Sequence, residues 1–171
     1  DSVKHKIAML SEDRRRFGIV PVRSVKENAS LSNLKRFIYK GRLHKSEENA
    51  VIGEYFKKMN VKTPTMDTTI DVLSGGNQQK VILAKWMVTN PDILILDEPT
   101  RGIDVGAKYE IYELITKLAS EGRALILISS ELPELIGMCD RVYVMSKGQI
   151  KGELSAGDIT QEKIMYLATQ N

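Results

Sequence analysis

Cysteine is nearly missing from this sequence: Cys139 stands alone among 171 residues. A single thiol excludes an internal disulfide and any multi-cysteine metal site, and it fits a reducing compartment. Long apolar runs are missing too. None approaches the ~20 residues that a bilayer-crossing helix needs, so any membrane role is expected to come through a partner. Charge of one sign is not in excess, with 25 basic and 22 acidic side chains leaving +3 at neutral pH. That surplus is too small and too dispersed for a nucleic-acid-binding face. The densest basic run, Arg14-Arg15-Arg16, is expected to be a solvated surface, and His5 and His44 are expected to be plain surface residues. No internal repeat or low-complexity segment is present. None of the 12 glycines opens a G-x-x-x-x-G-K-[ST] pattern; Gly102 to Lys108 comes nearest, with the wrong glycine spacing.

What remains is the composition of a packed domain, 42% hydrophobic and 27% charged, of a size for one ordinary domain or most of one. His5 to Leu10 reads as a short buried strand running into a polar turn at Ser11 to Arg14. From about Ser24 to Asn60 the apolar residues Leu31, Leu34, Phe37, Ile38, Val51, Tyr55, Phe56 and Met59 fall at helical spacing. Gly41 and Gly53 interrupt them, which predicts two or three short helices. Thr63-Pro64-Thr65 is a loop. A further helix is expected from Ser74 to about Thr89, stopped by Asn90-Pro91. Ile93 to Leu96 and Ala124 to Ile128 are unbroken apolar runs, the pattern of parallel strands buried on both faces. Helices are expected at Val105 to Ser120 and Leu132 to Met138. Strands are expected near 142–145 and 149–154, joined through Lys147-Gly148, with a last helix over 161–167. The alternation of strands and helices predicts an α/β domain, with an all-helical insertion over about 24–89.

Two segments carry chemistry. In Leu73-Ser74-Gly75-Gly76-Asn77-Gln78-Gln79-Lys80 a serine and two glycines stand at a helix start. Backbone N–H groups and the positive end of the helix dipole suit an anion there; alone, the same residues also fit an ordinary serine cap. In Ile93-Leu94-Ile95-Leu96-Asp97-Glu98-Pro99-Thr100 a buried strand delivers two carboxylates to its C-terminal end, where α/β sheets place ligands. An Asp there suits Mg²⁺, and a following Glu can orient a water for phosphoryl transfer; the same pair also fits a helix-capping turn.

Together the segments resemble the ABC ATPase family. Leu73–Lys80 looks like its signature motif, Ile93–Glu98 like its Walker B strand with the catalytic glutamate, and Gly102-Ile103-Asp104 like its D-loop. Ile7–Glu12 resembles the strand into the Q-loop, and Ser24–Leu31 the start of the helical subdomain. Glu12-Asp13-Arg14, Asn77-Gln78-Gln79-Lys80, Thr100–Asp104 and Ser129–Glu134 resemble the second nucleotide-binding half of the sugar-importer ATPases of the ribose, galactose and xylose type. The resemblance implies an α/β, partial P-loop NTPase (ABC ATPase) domain: a mostly parallel sheet core lacking the Walker A strand, with a helical subdomain. Its expected parts are a Q-loop strand and turn over 1–23, a helical subdomain with the signature over 24–90, and the C-terminal half of the core over 91–171. It implies ATP and Mg²⁺ as cofactors, with Ser74, Gly75, Gly76, Gln78 and Asp104 toward the nucleotide, and Asp97 and the Q-loop Glu12 toward the metal. Glu98 and Ser130, at the switch-histidine position, are the implied catalytic positions. The implied partners are a second nucleotide-binding domain, transmembrane permease subunits and, indirectly, a sugar-binding protein, with no nucleic acid; the implied location is the cytoplasmic face of the membrane.

Three departures accompany the resemblance. The phosphate loop is absent, so the chain is expected to be truncated at its N-terminus and inactive alone. Glu12 stands where most relatives carry glutamine, and an ionised carboxylate cannot donate a hydrogen bond. Ser130 offers one hydroxyl where a histidine could carry charge. The signature is therefore expected to complete the competent site in trans, while Asp97 and Glu98 sit in an impaired one. The alternative is a non-catalytic half that regulates or dimerises.

Overall fold

A computed structural model describes residues 2–170. They form two compact units, divided after Ile128.

The first unit is built on a parallel three-stranded sheet of order β1-β4-β5, from β1 (Ile7–Leu10), β4 (Ile93–Asp97) and β5 (Ala124–Ile128). Its register aligns Leu10 with Leu96 and Asp97 with Ile128, so the segments after β1 and β4 emerge at one end of the sheet. Between β1 and β4 the chain forms α1 (Val25–Ser30), a 3-10 segment over Leu31–Phe37, a small hairpin of β2 (Ile38–Tyr39) and β3 (Arg42–Leu43), α2 (Lys45–Lys58) and α3 (Gly75–Met87). After β4 comes α4 (Val105–Ser120), which packs on α3.

Local chemistry explains these boundaries. Ser24 and Glu27 form a reciprocal capping box at the start of α1. Asp104 caps α4 by accepting from the Ala107 N–H at 2.9 Å. Helix α3 is buried along Gln78–Lys85 and at Met87, as a helix enclosed by α1, α2, α4 and β1 must be. Two of its buried side-chain donors are tied down. The Lys85 ammonium donates to the Gly18 carbonyl at 2.9 Å, and the Gln79 amide donates to the Pro99 carbonyl at 2.7 Å.

Several expectations need correction. The stretch 24–89 is not all helical: Lys40 and Gly41, both at positive φ, turn β2 into β3 as a two-residue hairpin loop. Gly53 does not interrupt its helix but lies inside α2. His5 belongs to a 3-10 turn, and β1 starts at Ile7. Strand β5 is not buried on both faces. Ala124, Ile126 and Ile128 are exposed, because β5 is an edge strand and only the opposite sheet face, with Ala8, Leu10, Leu94 and Leu96, is covered.

The second unit holds α5 (Leu132–Met138), an antiparallel hairpin of β6 (Arg141–Ser146) and β7 (Gln149–Ser155), and α6 (Gln161–Thr169). Lys147 and Gly148 take positive φ and make the two-residue turn. Val142, Val144 and Ile164 form its core, with Leu132, Leu135, Leu154 and Leu167 packed around them. Cys139 lies against this core; burial, then Glu134 and Asp140, raise its thiol pKa, the setting of an unreactive cysteine.

Candidate nucleotide and phosphate site

Helix α3 opens at the signature segment, and Ser74 does not cap it as a serine ordinarily would. Its hydroxyl oxygen instead accepts from the Asn77 amide at 3.0 Å. Asn77 is itself held, because its side-chain oxygen accepts from the Lys62 N–H at 2.7 Å. With one lone pair of Ser74 occupied by Asn77, the hydroxyl proton is directed elsewhere. Ser74 is exposed, Gly75 half-buried and Gly76 buried. Gly76 has a packing reason as well, since a Cβ there would lie 2.5 Å from the Ala107 Cβ of α4. The arrangement fits an anionic oxygen: exposed backbone at a helix start, the dipole's positive end and an oriented hydroxyl.

Gln78 turns inward instead. Its amide nitrogen donates to the carbonyls of Ile70 and Leu73 at 3.2 and 3.1 Å, so its side chain fixes the approach to the helix. Lys80 is 2% exposed. Its ammonium donates to the Asn60 carbonyl at 3.0 Å and pairs with the Glu110 carboxylate of α4. Hydrogen bonding from Lys80, then the charges of Lys80 and Lys62, hold the Glu110 carboxyl below its ordinary value of 4.5.

At the end of β4, Asp97 and Glu98 are half-buried. Glu98 takes a φ of +47°, an uncommon and strained backbone for a residue with a side chain. Its N–H donates to the Ile128 carbonyl at 2.8 Å, and its carbonyl accepts from Arg101, so a tight turn follows the strand. Half-buried carboxylates at the C-terminal end of a parallel strand are a donor set of the kind Mg²⁺ takes. Asp104 closes the segment as the α4 cap.

Glu12 and Arg14 meet this turn from the side of β1. The Glu12 carboxylate pairs with the Arg101 guanidinium. Arg14 is not part of a solvated run, which corrects the expectation for Arg14-Arg15-Arg16. Arg15 and Arg16 are exposed and Arg14 is half-buried, its pKa lowered first by burial and then by Arg15. Its guanidinium donates to the Arg101 carbonyl at 2.9 Å and reaches the Gly102 carbonyl and the Gln78 side-chain oxygen, each at 3.4 Å.

Ser130 is exposed and lies in the second unit, between β5 and α5. The carboxylates of β4, the signature helix and the Glu12–Arg14 turn all lie in the first. Composition and spacing did not reveal Arg14, Asn77, Lys80 or Arg101 as parts of the site. The available signal was the polar quartet Asn77-Gln78-Gln79-Lys80 at the head of a helix otherwise patterned for burial.

The fold is that of an ABC ATPase domain. A family profile for ABC transporters matches residues 1–101, and the chain belongs to that family. Over 169 residues it is 54% identical to a ribose import ATP-binding protein of Clostridium perfringens, a match covering 98% of this chain and 34% of the relative. It is 51% identical over 169 residues to a xylose import ATP-binding protein of Thermoanaerobacter pseudethanolicus, covering 99% and 34%. The chain thus spans about a third of the length of these relatives. The solved structure of cbiO1 from Clostridium perfringens, part of the ABC transporter complex cbiONQ, is similar with a TM-score of 0.74 at 24% identity, over 95% of this chain and 62% of that one. That likeness concerns the fold.

Proposed function

We propose that this chain is part of the energy-coupling, ATP-hydrolysing subunit of a carbohydrate importer, and that it is the C-terminal part of that subunit's second nucleotide-binding domain. The names of the ribose and xylose import relatives support the substrate class. The observation that carries the reading is the pairing of two ends in one unit, the oriented Ser74 hydroxyl at the head of α3 and the carboxylates closing β4. In this reading 1–23 supply the Q-loop strand and turn, 24–90 the helical subdomain, and 91–171 the remainder of the core.

Bound Mg²⁺ would be held by Asp97 and would draw charge from the phosphates; Glu12, at the Q-loop position expected toward the metal, has its carboxylate paired with Arg101. Glu98 stands where a water would be oriented and its proton accepted, but in the site of the pair that is impaired; the competent site is the one completed by Ser74, Gly75 and Gly76. Ser74, Gly75 and Gly76 offer a hydroxyl and backbone N–H groups to the terminal phosphate of a nucleotide held mainly by a second nucleotide-binding domain, where developing charge is stabilised by fixed donors. Gln78 and Asp104 keep that edge in place; Ser130, in the second unit, carries a hydroxyl without charge. The turn after β1 and the helical subdomain face permease subunits at the cytoplasmic side of the membrane, and a sugar-binding protein acts through them. No helix among the described residues is long and apolar enough to cross a membrane.

A second reading, a regulatory half without turnover, is favoured by two observations: Glu12 is engaged by Arg101, and a serine stands at position 130. MgATP turnover by the intact subunit with its permease and sugar-loaded binding protein separates the two. Sugar-stimulated turnover is expected; nucleotide binding without turnover would leave the regulatory reading. The 171-residue chain alone, without a lysine-bearing phosphate loop, is expected to show no steady turnover and no micromolar ATP affinity.

A further inference from the structure

Three segments distant in sequence converge on one side chain. Arg14 comes from the turn after β1, its Nε reaches Gln78 in the signature helix, and its two terminal nitrogens reach the Arg101 and Gly102 carbonyls in the loop after β4. The guanidinium is planar, with a fixed fork of donors, so satisfying three acceptors sets its position and theirs together. It also lies over the start of α3. A Cβ on Gly75 would come within 2.8 Å of the Arg14 Nη2 and 3.3 Å of the Gly102 carbonyl oxygen. Glu12, two residues earlier, grips the side chain of the same Arg101 whose carbonyl Arg14 holds. Asp13 stiffens the turn between them by accepting from the Arg16 N–H at 3.0 Å.

We infer that Glu12 and Arg14 form a clasp that fixes the loop Thr100–Gly102 against the head of the signature helix, and that Arg14 is a positioning residue for Ser74 and Gly75. The segment after β1 thereby sets how the phosphate-facing edge is presented. A displacement of that turn is passed to both the signature and the loop, because one planar guanidinium bonds to both. Glu12 acts here through Arg101 rather than as a free carboxylate. The role in turnover rests on the proposed ATPase function; the clasp itself rests on geometry alone.

The test uses the full-length subunit with Arg14→Ala, Arg14→Lys and, as a control, Ser74→Arg. Amide hydrogen exchange read by mass spectrometry should rise at least several-fold in Arg14→Ala for peptides covering 73–77 and 99–104, with β4 and the body of α3 unchanged. Turnover should fall about tenfold, the scale of a lost second-tier hydrogen-bonding partner, while nucleotide affinity and the thermal midpoint stay within error. Arg14→Lys keeps the charge but not the fork and should recover only part of the turnover. Uniform exchange increases, full recovery by lysine, or wild-type turnover in Arg14→Ala would overturn the inference. If Ser74→Arg leaves turnover intact, the function assigned to the signature is what fails, and the exchange pattern still decides the clasp.

Discussion

At the head of α3, Asn77 orients Ser74 and is itself anchored on Lys62, while Gln78 and Lys80 are spent on neighbouring carbonyls and Glu110. The turn after β4 is arranged otherwise. Glu98 stands at positive φ, and Glu12, from the turn after β1, is paired with Arg101. Both ends carry recognisable residues, yet the first has its polar side chains arranged around an outward-facing serine and the second has one of its carboxylates committed to an internal pair. The contrast teaches that a motif's letters and its readiness are separate properties, and readiness is read from what its neighbours are bonded to.

Substitutions can break or sharpen this contrast. The largest effect is expected for Ser74→Arg, which replaces an oriented hydroxyl by a bulky cation. Turnover of the full-length subunit should fall about 100-fold, the scale of removing a fixed donor to a developing oxyanion. Gly76→Ala tests the packing beneath it. Because the new methyl meets Ala107 at 2.5 Å, overpacking should cost about 2 kcal/mol in a denaturant titration. Lys80→Ala removes the partner of the Asn60 carbonyl and one of the two lysines paired with Glu110. A similar loss of about 2 kcal/mol is expected, below the ~3–5 for a fully buried pair, since the Glu110 side chain keeps 37% exposure. Asp104→Ala removes the α4 cap and should cost about 1 kcal/mol.

The smallest effect is one of pH. The Glu110 carboxyl is held below its ordinary 4.5, first by hydrogen bonding from Lys80. A depressed folded-state value means its contribution is complete above the ordinary value and is lost as pH falls through the lowered one. Urea midpoints measured from neutral pH to pH 3 should therefore fall on the acid side, and less steeply in Glu110→Gln.

Much of the fold was legible because local chemistry decided it. Helix α4 runs Val105–Ser120 as expected, fixed by the Asp104 cap and a regular apolar period. Helix α5 and the β6–β7 turn followed in the same way. Burial of β5 was misread because an all-apolar run carries no alternation, and which face is covered depends on strand order. Arg14 was misread because three consecutive arginines look like a solvated patch, and its acceptors are carbonyls more than 80 residues away. The motifs placed Ser74 at a helix start and Asp97 at a strand end, where they lie, while the Asn77 and Arg101 contacts were not legible, since amide and guanidinium partners are chosen by tertiary proximity.

The direct test of the contrast is turnover of the full-length subunit carrying Ser74→Arg beside the same subunit carrying Glu98→Gln. The account predicts a loss of about 100-fold for the first and retention of most activity for the second. Wild-type turnover in Ser74→Arg with abolished turnover in Glu98→Gln would contradict it, and would make the end of β4 the competent one.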